Sequence, residues 1–340
     1  STRYSFTNKG WELNHDSPNF NITNKSNNLL LNNFINELLD AKFIHPDPSE
    51  LIELNCSKHL NLESNYDFHK GNNYIPRSNM TKLSEDIISL NNSENQVDFY
   101  FEELIIKLEF KKNKWSLYSD KGDTYHAAFV VISSNLLLHK RSLDILGTDE
   151  IPLRKAIPPK LSNNVDLILN LINKQVFIQR LTFLIYTRSN YFYKDDYVEK
   201  FRYFILNDYL EKKYNFERII FQRQKNNNLG IVVHTKDIEL IREYLELKNE
   251  YQFKKKLLSN FNQLFDGNPY VNQLVDYKDI SIMRWRASQP SGTMIPECLQ
   301  VCEDYKIGFC GDWFDIEGFG RIEGAISSAL RLSSKFSSFH

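Results

Sequence analysis

One segment near the C-terminus constrains the fold of this 340-residue chain more than any other part of its sequence. In KIGFCGDWFDIEGFGRIEGAISSAL, an apolar strand runs into Gly311-Asp312, and a helix is predicted to begin near Ile322 after a glycine-containing loop. The first N–H groups of a helix have no hydrogen-bond partner within the helix, and this end carries partial positive charge. The arrangement is therefore typical of a cofactor site. An ordinary strand-to-helix crossover has the same features, and the residues alone leave both interpretations open.

Two acidic side chains in this segment have different predicted roles. Asp312 directly follows the strand and is a candidate acceptor of hydrogen bonds from a ligand hydroxyl or a backbone N–H. Glu323 lies in the first turn of the predicted helix, where a carboxylate caps N–H groups and does not act as a base. Neither residue forms part of a Ser-His-Asp or Cys-His pattern, so the sequence predicts no nucleophilic catalysis here.

The remaining sequence predicts a mixture of helices and strands. Apolar residues four apart predict a helix containing Leu30, Phe34 and Leu38, and a second helix is predicted over Met80–Leu90. A single long helix is predicted over about residues 237–265. Strands are predicted from Val97 through VDFYFEELIIKLEF, at WSLY, at YHAAFVVI as one buried run, and at VFIQRLTFLIYT, LGIVVHT and ISIMRWRA.

Composition excludes several classes of partner. Lys and Arg (42) nearly cancel Asp and Glu (43), which gives no reason to expect a nucleic acid or an acidic membrane surface. The four cysteines form no CxxC pair, so we predict no metal site and a reducing, cytoplasmic location. No apolar stretch is long enough for a membrane helix. We expect a small-molecule substrate and no stable membrane insertion, and the oligomeric state stays open.

The C-terminal segment resembles the FAD motif of the renalase-like and flavin-containing amine-oxidase superfamily. In that motif a Gly-Asp pair is followed by a helix start of Val- or Ile-Glu-Gly-Ala. The resemblance implies FAD contacts from both ends of the loop. These are Gly311 and Asp312 beside the pyrophosphate and ribityl chain, and Ile322, Glu323, Gly324 and Ala325 beneath the isoalloxazine.

Other segments resemble the same family in the same order. MRWRASQP resembles His-Arg-Trp-Arg-Tyr-Ala-x-Pro, with Met283 in place of the histidine, which implies that Trp285 shapes a flat, dry substrate cavity. A tryptophan packed in the core is the alternative. The strand start at Val97 resembles the position that holds the adenine through its backbone.

The N-terminus resembles the stretch that follows the family's Gly-Gly-Arg flavin loop. The resemblance implies that Arg3 binds the cofactor and that His15 lies near the flavin ring, although Asn14 replaces the family's aspartate. His15 and Trp285 are the candidate catalytic residues, and an ordinary loop histidine is the alternative for His15. The family's Gly-x-Gly-x-x-Gly turn does not occur in the sequence. We therefore expect that about 50 residues of a strand-helix-strand unit precede Ser1, and that these residues alone bind FAD weakly or not at all.

Together these features predict an α/β (α+β) fold, the two-domain fold of FAD-dependent oxidoreductases. We expect a Rossmann-like, NAD(P)-binding-type FAD domain, incomplete at its N-terminus, from residues 1–20, 75–150 and 281–340. It would interleave with a mixed-sheet substrate domain from residues 21–74 and 151–280.

The resemblance implies an oxidoreductase that accepts a hydride onto flavin N5 from an amine or a dihydropyridine-type substrate. Oxygen or another acceptor would then take the electrons. The substitutions at Asn14 and Met283 motivate an alternative, a redox-silent flavin-fold isomerase or a binding and assembly protein. A structural protein without a cofactor is the third hypothesis.

Overall fold

A computed structural model of the chain describes most of its residues. The described ranges are 4–6, 12–15, 18–23, 28–49, 51–54, 60–61, 71–90, 97–188, 200–224, 228–247, 249–267 and 277–336. The chain divides into two compact units built from alternating segments. Unit 1 comprises Ser1–Thr23, Asn36–Leu90 and Ile178–Ser288, and unit 2 comprises Asn24–Ile35, Asn91–Phe177 and Gln289–His340. The predicted domain boundaries stay a prediction, because compactness does not show which unit binds a cofactor.

Unit 1 contains most of the strands. They are β1 (Tyr4–Phe6), β2 (Glu12–Asn14), β3 (Phe20–Ile22), β4 (Ile44–Pro46), β5 (Leu51–Leu54), β6 (Leu60–Asn61) and β7 (Asn72–Pro76). The numbering of strands follows the chain, so the later strands of the unit are β12 (Val176–Arg188), β13 (Tyr203–Leu206), β14 (Arg218–Arg223), β15 (Asn228–Thr235) and β16 (Tyr277–Ser291). Its helices are α2 (Met80–Leu90), α6 (Asp208–Tyr214), α7 (Ile238–Leu245) and α8 (Glu250–Leu264), and α1 (Leu29–Asp40) contributes residues to both units.

The described strands of unit 1 form one large sheet and two small ones. The large sheet has the order β16-β12-β15-β14-β13-β5-β6, and β13 runs parallel to β5 while β12, β14 and β15 pair antiparallel. One face of this sheet carries alternate apolar residues that pack with α6, α7 and α8 into a core containing Phe204, Phe221, Phe261 and Phe265. Successive strand residues point to opposite faces, so the residues between them lie on the second face. That second face carries the polar side chains described below.

Unit 2 contains shorter strands and two small sheets. Its strands are β8 (Ile105–Lys111), β9 (Lys114–Ser119), β10 (Thr124–Ala127), β11 (Val130–Ile132), β17 (Val301–Cys302) and β18 (Ile307–Phe309). Its helices are α3 (Leu143–Leu146), α4 (Pro152–Ala156), α5 (Asn163–Ile172) and α9 (Ile322–Phe336). Strands β10-β9-β8 form an antiparallel meander, and β18 lies between β11, to which it is parallel, and β17. A separate apolar core of this unit includes Trp115, Ile168, Phe309 and Phe314.

Several predicted elements are confirmed, although β16 continues through Pro290 to Ser291, where the sequence predicts a loop. The helix predicted at Met80–Leu90 is α2, and the final helix begins at Ile322 as expected. Strands β9, β12, β15 and β16 lie where the patterns of WSLY, VFIQRLTFLIYT, LGIVVHT and ISIMRWRA predict them. Helix α1 contains the predicted face of Leu30, Phe34 and Leu38.

Three predictions of secondary structure are wrong. The strand expected from Val97 begins only at Ile105, because Glu102 adopts a left-handed φ of 58° that interrupts the extended run. The run YHAAFVVI is divided between β10 and β11, which belong to different sheets. The helix expected over residues 237–265 is two helices, because the side chain of Asn249 accepts hydrogen bonds from the N–H groups of Tyr251 and Gln252 and starts a new helix.

Among the helices that the structure describes, none combines the length and the apolar character needed to cross a membrane.

Candidate functional site

A serine in helix α9 holds the turn that follows β18. The N–H of Cys310 donates to the carbonyl of Ile132 at the end of the neighbouring parallel strand, at 3.2 Å. The next N–H, that of Gly311, donates to Ser328 Oγ in α9 at 2.7 Å. Gly311 has a φ of 151°, and a Cβ there would lie 1.9 Å from Trp313 Nε1, so only glycine fits. The chain's own indole, and not a ligand, therefore requires this glycine.

The start of α9 is fixed by a close backbone crossing. A Cβ on Gly324 would lie 2.4 Å from the carbonyl oxygen of Gly318. That carbonyl accepts the N–H groups of Arg321 at 2.8 Å and Gly324 at 3.2 Å, while the N–H of Ala325 donates to Arg321 O at 3.2 Å. The N–H groups of Gly324 and Ala325, which the sequence suggests for cofactor binding, thus already donate hydrogen bonds within the protein. The N–H of Ile322 has no partner within the described ranges.

The two acidic site candidates of this segment, Glu323 and Asp312, differ in their surroundings. Glu323 is fully buried and forms an ion pair with Arg321 Nη2 at 3.0 Å, so its carboxylate pairs with a side chain. Asp312 is half-buried, and its carbonyl accepts the N–H of Gly320 at 2.7 Å. Burial raises the pKa of the Asp312 carboxyl above its usual range. Its carboxylate accepts a hydrogen bond from the backbone N–H of Asp312 itself and none from another described side chain, so it has capacity to accept further donors.

These groups fit one end of a flavin nucleotide. An underused carboxylate at Asp312 is a suitable acceptor for ribityl hydroxyls, and the positive end of α9 with the N–H of Ile322 suits an electron-rich ring edge. Other atoms of the chain fill the space beside the loop glycines. Among the described residues, none of these glycines forms a phosphate-binding turn. The fit therefore covers the ribityl and ring portions of FAD and does not extend to its pyrophosphate.

A second group of functional candidates lies on the large sheet of unit 1. The half-buried Trp285 on β16 donates its indole N–H to Thr182 Oγ1 on β12 at 2.8 Å. Thr182 Oγ1 is also 3.1 Å from Nδ1 of His234, which lies directly opposite it on β15. Both Thr182 and His234 are fully buried. Trp285, which the family resemblance implies as a substrate-site residue, is therefore held by the polar pair of Thr182 and His234 within the sheet.

His15 lies beside the same strand. Its Nδ1 is 2.8 Å from the Sδ of Met283, which is two residues from Trp285 and therefore on the same face of β16. His15 is only 8% exposed. The preceding residue, Asn14, is fixed by Gln222 on β14, which accepts its N–H at 3.0 Å and donates to its carbonyl at 2.8 Å. Two segments 268 residues apart in sequence thus meet at His15 and Met283.

The same sheet holds a paired arginine and glutamate. Arg180 binds Glu217 through two hydrogen bonds, Nε to Oε2 at 2.8 Å and Nη2 to Oε1 at 3.0 Å. Its Nη1 donates to Ser288 Oγ at 2.6 Å. Burial alone would raise the pKa of Glu217, but Arg180, Arg218 and Lys236 outweigh it and lower that pKa to about 2. The pair is a structural anchor between strands.

The structure brings some of the predicted site residues together and not others. The fold brings Gly311, Asp312 and the Ile322–Ala325 segment together, since Gly320 and Ser328 link the turn to the helix. It also brings His15 close to the strand of Trp285. Val97 is 52% exposed and does not begin a strand, so the structural context expected for adenine binding is wrong. Arg3 lies outside the described residues.

Two further residues hold these groups in place, and sequence reasoning did not assign them. Ser328 fixes Gly311, and the only signal for it is its position four residues after Gly324 on the same helix face. Thr182 fixes Trp285, and its signal is a hydroxyl between the apolar residues Leu181 and Phe183. No cluster of three or more His, Cys, Asp or Glu side chains suited to a metal ion occurs in the described part of the chain.

Comparisons with known proteins extend the fold assignment. No protein-family model matches the sequence, and no curated protein matches it. Solved structures do match. A provisionally named protoporphyrinogen oxidase from Exiguobacterium sp. 255-15 aligns with a TM-score of 0.51 and 10% identity over 78% of this chain and 53% of its own. Cyclohexylamine oxidase from Brevibacterium oxydans IH-35A aligns with a TM-score of 0.55 and 10% identity over 80% and 55%.

A third structure aligns along the whole chain. It is a triple mutant of putrescine oxidase redesigned in its cofactor binding, with a TM-score of 0.60, 9% identity, and coverage of 100% of this chain and 91% of its own. The chain spans about half the length of the first two structures. At such identities the alignments show the fold alone. The predicted fold class is confirmed: this chain has a mixed α/β fold, divided into two units, that it shares with these three oxidase structures.

Proposed function

We propose that this protein is a flavin-dependent oxidoreductase of the amine-oxidase type, with FAD as its cofactor. The observation that carries the proposal is the turn of Gly311-Asp312 joined to the start of α9, in a fold shared with three oxidases. When bound, the flavin supplies the hydride acceptor at N5 that no side chain of the protein provides. Reactions of this kind often need no strong side-chain base, so the lack of an evident acid–base pair in the sequence counts neither for nor against the proposal.

The residues of unit 2 would bind the cofactor. Asp312 would accept hydrogen bonds from the ribityl hydroxyls, and the N-terminal turn of α9 would lie under the ring with Ile322 offering its N–H. The buried ion pair of Glu323 and Arg321 would keep that turn rigid. Arg3, Val97 and the glycines remain candidates by resemblance only. A fixed dipole at the helix start would stabilise negative charge without reorganising.

The residues of unit 1 would bind the substrate. Trp285 presents a large, flat, apolar side chain, which would orient an amine or dihydropyridine-type substrate and exclude water. His15 is buried against Met283, so its proposed contribution is to pack beside the substrate and not to remove a proton. The reduced flavin would pass its electrons to oxygen or to another acceptor. We also propose a cytoplasmic location.

One observation favours a second candidate, a redox-silent flavin-fold isomerase or a binding protein. The only histidine with a family position near the ring has its Nδ1 2.8 Å from Met283 Sδ, and methionine replaces the family's histidine at that position. A site built this way offers little acid–base chemistry. It would still hold a polyene or another apolar ligand against an indole.

The decisive experiment uses the protein expressed from its complete reading frame and purified without added flavin. We expect a flavin absorbance band, and we expect Asp312→Asn to weaken flavin binding about tenfold, or about 1.4 kcal/mol. Asp315→Asn, three residues away on an exposed position, is the matched control and should bind flavin normally.

Anaerobic mixing then separates the two candidates. Amines and dihydronicotinamides should bleach the flavin band if the protein is an oxidoreductase. A band that persists with every donor would support the redox-silent candidate, and a purified protein that neither contains nor binds FAD would refute both.

A further inference from the structure

A buried polar row crosses the large sheet of unit 1 beneath Trp285. It runs from the indole N–H of Trp285 to Thr182 Oγ1 at 2.8 Å, and from there to Nδ1 of His234 at 3.1 Å. The three residues come from neighbouring strands in the order β16-β12-β15. Thr182 and His234 are both 0% exposed, so neither reaches solvent. The row is internal to the sheet and directly contacts the one indole that the proposed function uses.

The surroundings of this row make the hydroxyl unusual. On the same face of the sheet, the next side chains along β12 and β15 are Leu184 and Val232, which are 2% and 0% exposed, and Arg180 lies on the other side of Thr182. A valine at position 182 would match the shape and the strand propensity of threonine without burying a hydroxyl. Burial of a hydroxyl is unfavourable unless it forms hydrogen bonds. Here the hydroxyl lies within reach of two partners, and one of them is the indole.

One end of this row has a fixed hydrogen-bond direction. An indole N–H only donates, so Thr182 Oγ1 accepts from Trp285. The hydroxyl keeps one hydrogen and a second lone pair, so it can donate to His234 Nδ1, 3.1 Å away, or accept from it, depending on the histidine tautomer. If Nδ1 accepts, the proton of a neutral His234 lies on Nε2.

We propose that Thr182 and His234 are positioning residues that fix the indole plane of Trp285, with His234 in its Nε2–H form. This inference rests on the proposed function, in which that indole orients the substrate. His234 holds the threonine hydroxyl in one rotamer, and the hydroxyl holds the indole at its Nε1 edge. Neither residue touches the substrate, and both act only through Trp285.

Two variants of one residue test the hydrogen bond. Thr182→Val removes the hydroxyl at constant shape, and Thr182→Ser keeps it. The readout is the indole N–H signal of Trp285 in NMR spectra of protein without substrate, assigned by its loss in Trp285→Phe. We expect the signal to move and broaden in Thr182→Val and to stay near its original position in Thr182→Ser. The indole of Trp115, which donates to Tyr305 O at 2.7 Å, is the internal control and should not move.

The proton order has its own readout. The Nδ1 of His234 should give a nitrogen signal of the unprotonated type, and a protonated-type signal would overturn the proposed order. If Thr182→Val fails to fold, His234→Gln provides a second variant, and it should shift the same indole signal. An unmoved Trp285 signal in a folded Thr182→Val protein would refute the hydrogen bond.

Kinetics test the positioning role. In flavin-loaded protein we expect Thr182→Val to raise KM about tenfold with kcat changed less than about threefold, and Thr182→Ser to restore KM. Unchanged KM and kcat in a variant whose indole signal has moved would refute the positioning role. If the wild-type protein oxidises no donor, the proposed function fails, and the NMR readout still decides whether Thr182 fixes Trp285.

Discussion

The turn at the start of α9 and the polar face of the large sheet hold their functional candidates by opposite means. In the turn, backbone groups bind one another, as where Gly318 O accepts two N–H groups, and there is no space for an additional carbon on Gly324. On the sheet, side chains from separate segments bind one another, as Arg180 on β12 binds Glu217, which directly precedes β14, and Ser288 on β16. The turn should therefore be sensitive to added atoms, and the sheet should be sensitive to removed ones.

The largest expected effect tests the sheet. Arg180→Met should lower the free energy of unfolding by about 3 kcal/mol, because it leaves the mostly buried carboxylate of Glu217 without its main partner. The loss should fall at the lower end of the usual range, since Lys236 Nζ remains 3.7 Å from Glu217 Oε1. Urea denaturation measures it. Arg242→Met is the matched control, because Arg242 pairs with Glu239 on the surface and should contribute less than about 1 kcal/mol.

The next effect tests the turn. Gly324→Ala should destabilise the protein by about 1–3 kcal/mol, although alanine is the better helix former, because the new Cβ would lie 2.4 Å from a backbone oxygen. Thermal unfolding measures the change. Ala329→Gly, at an exposed position of the same helix, should cost only about 0.5–1 kcal/mol. A Gly324→Ala protein as stable as the wild type would show that the crossing relaxes and would remove the contrast between the two regions.

The third effect, the smallest when taken per pH unit, concerns pH and again the sheet. The pKa of Glu217 lies at about 2 in the folded protein, below its ordinary value of 4.5. Its pair therefore contributes full stability above about pH 4.5, and that contribution is lost as the pH falls toward 2, by at most about 1.4 kcal/mol per pH unit. Denaturation curves of wild type and Glu217→Gln between pH 6 and 3 should converge as the pH falls. Parallel curves would mean that Glu217 titrates normally.

The two regions also differ in how well the sequence predicts them. The segment from Gly311 to Ala325 is local, and a strand, an acidic turn and small residues at a helix start all follow one another in the chain. The start of α9 at Ile322 was correctly predicted for that reason. The break between α7 and α8 was missed, because the apolar spacing continues across Asn249 while its side chain starts a new helix.

The candidate residues of unit 1 were predicted one by one, and not as a group. Trp285 and His15 were selected from separate segments, and nothing in their spacing indicates that Met283 lies beside His15. Thr182 was not selected at all, because a threonine in a strand is common and its importance depends on which strand lies next to it. At Val97 the sequence predicts too much. Its aromatic stretch predicts a strand, but the left-handed backbone of Glu102 interrupts the extended run, and the strand begins only at Ile105.

By itself the sequence determined the mixed α/β class and the local geometry of the turn at Gly311-Asp312. Those features depend on periodicity and on residues that are neighbours in the chain. Only the tertiary structure decided that Gly311 and Gly324 serve the chain's own packing, and that Thr182 and His234 form the polar row that contacts Trp285. The physical reason is that a hydrogen bond across a sheet depends on strand order and register, and β12, β15 and β16 are separated by about 40 residues or more in sequence, with no local pattern to relate them.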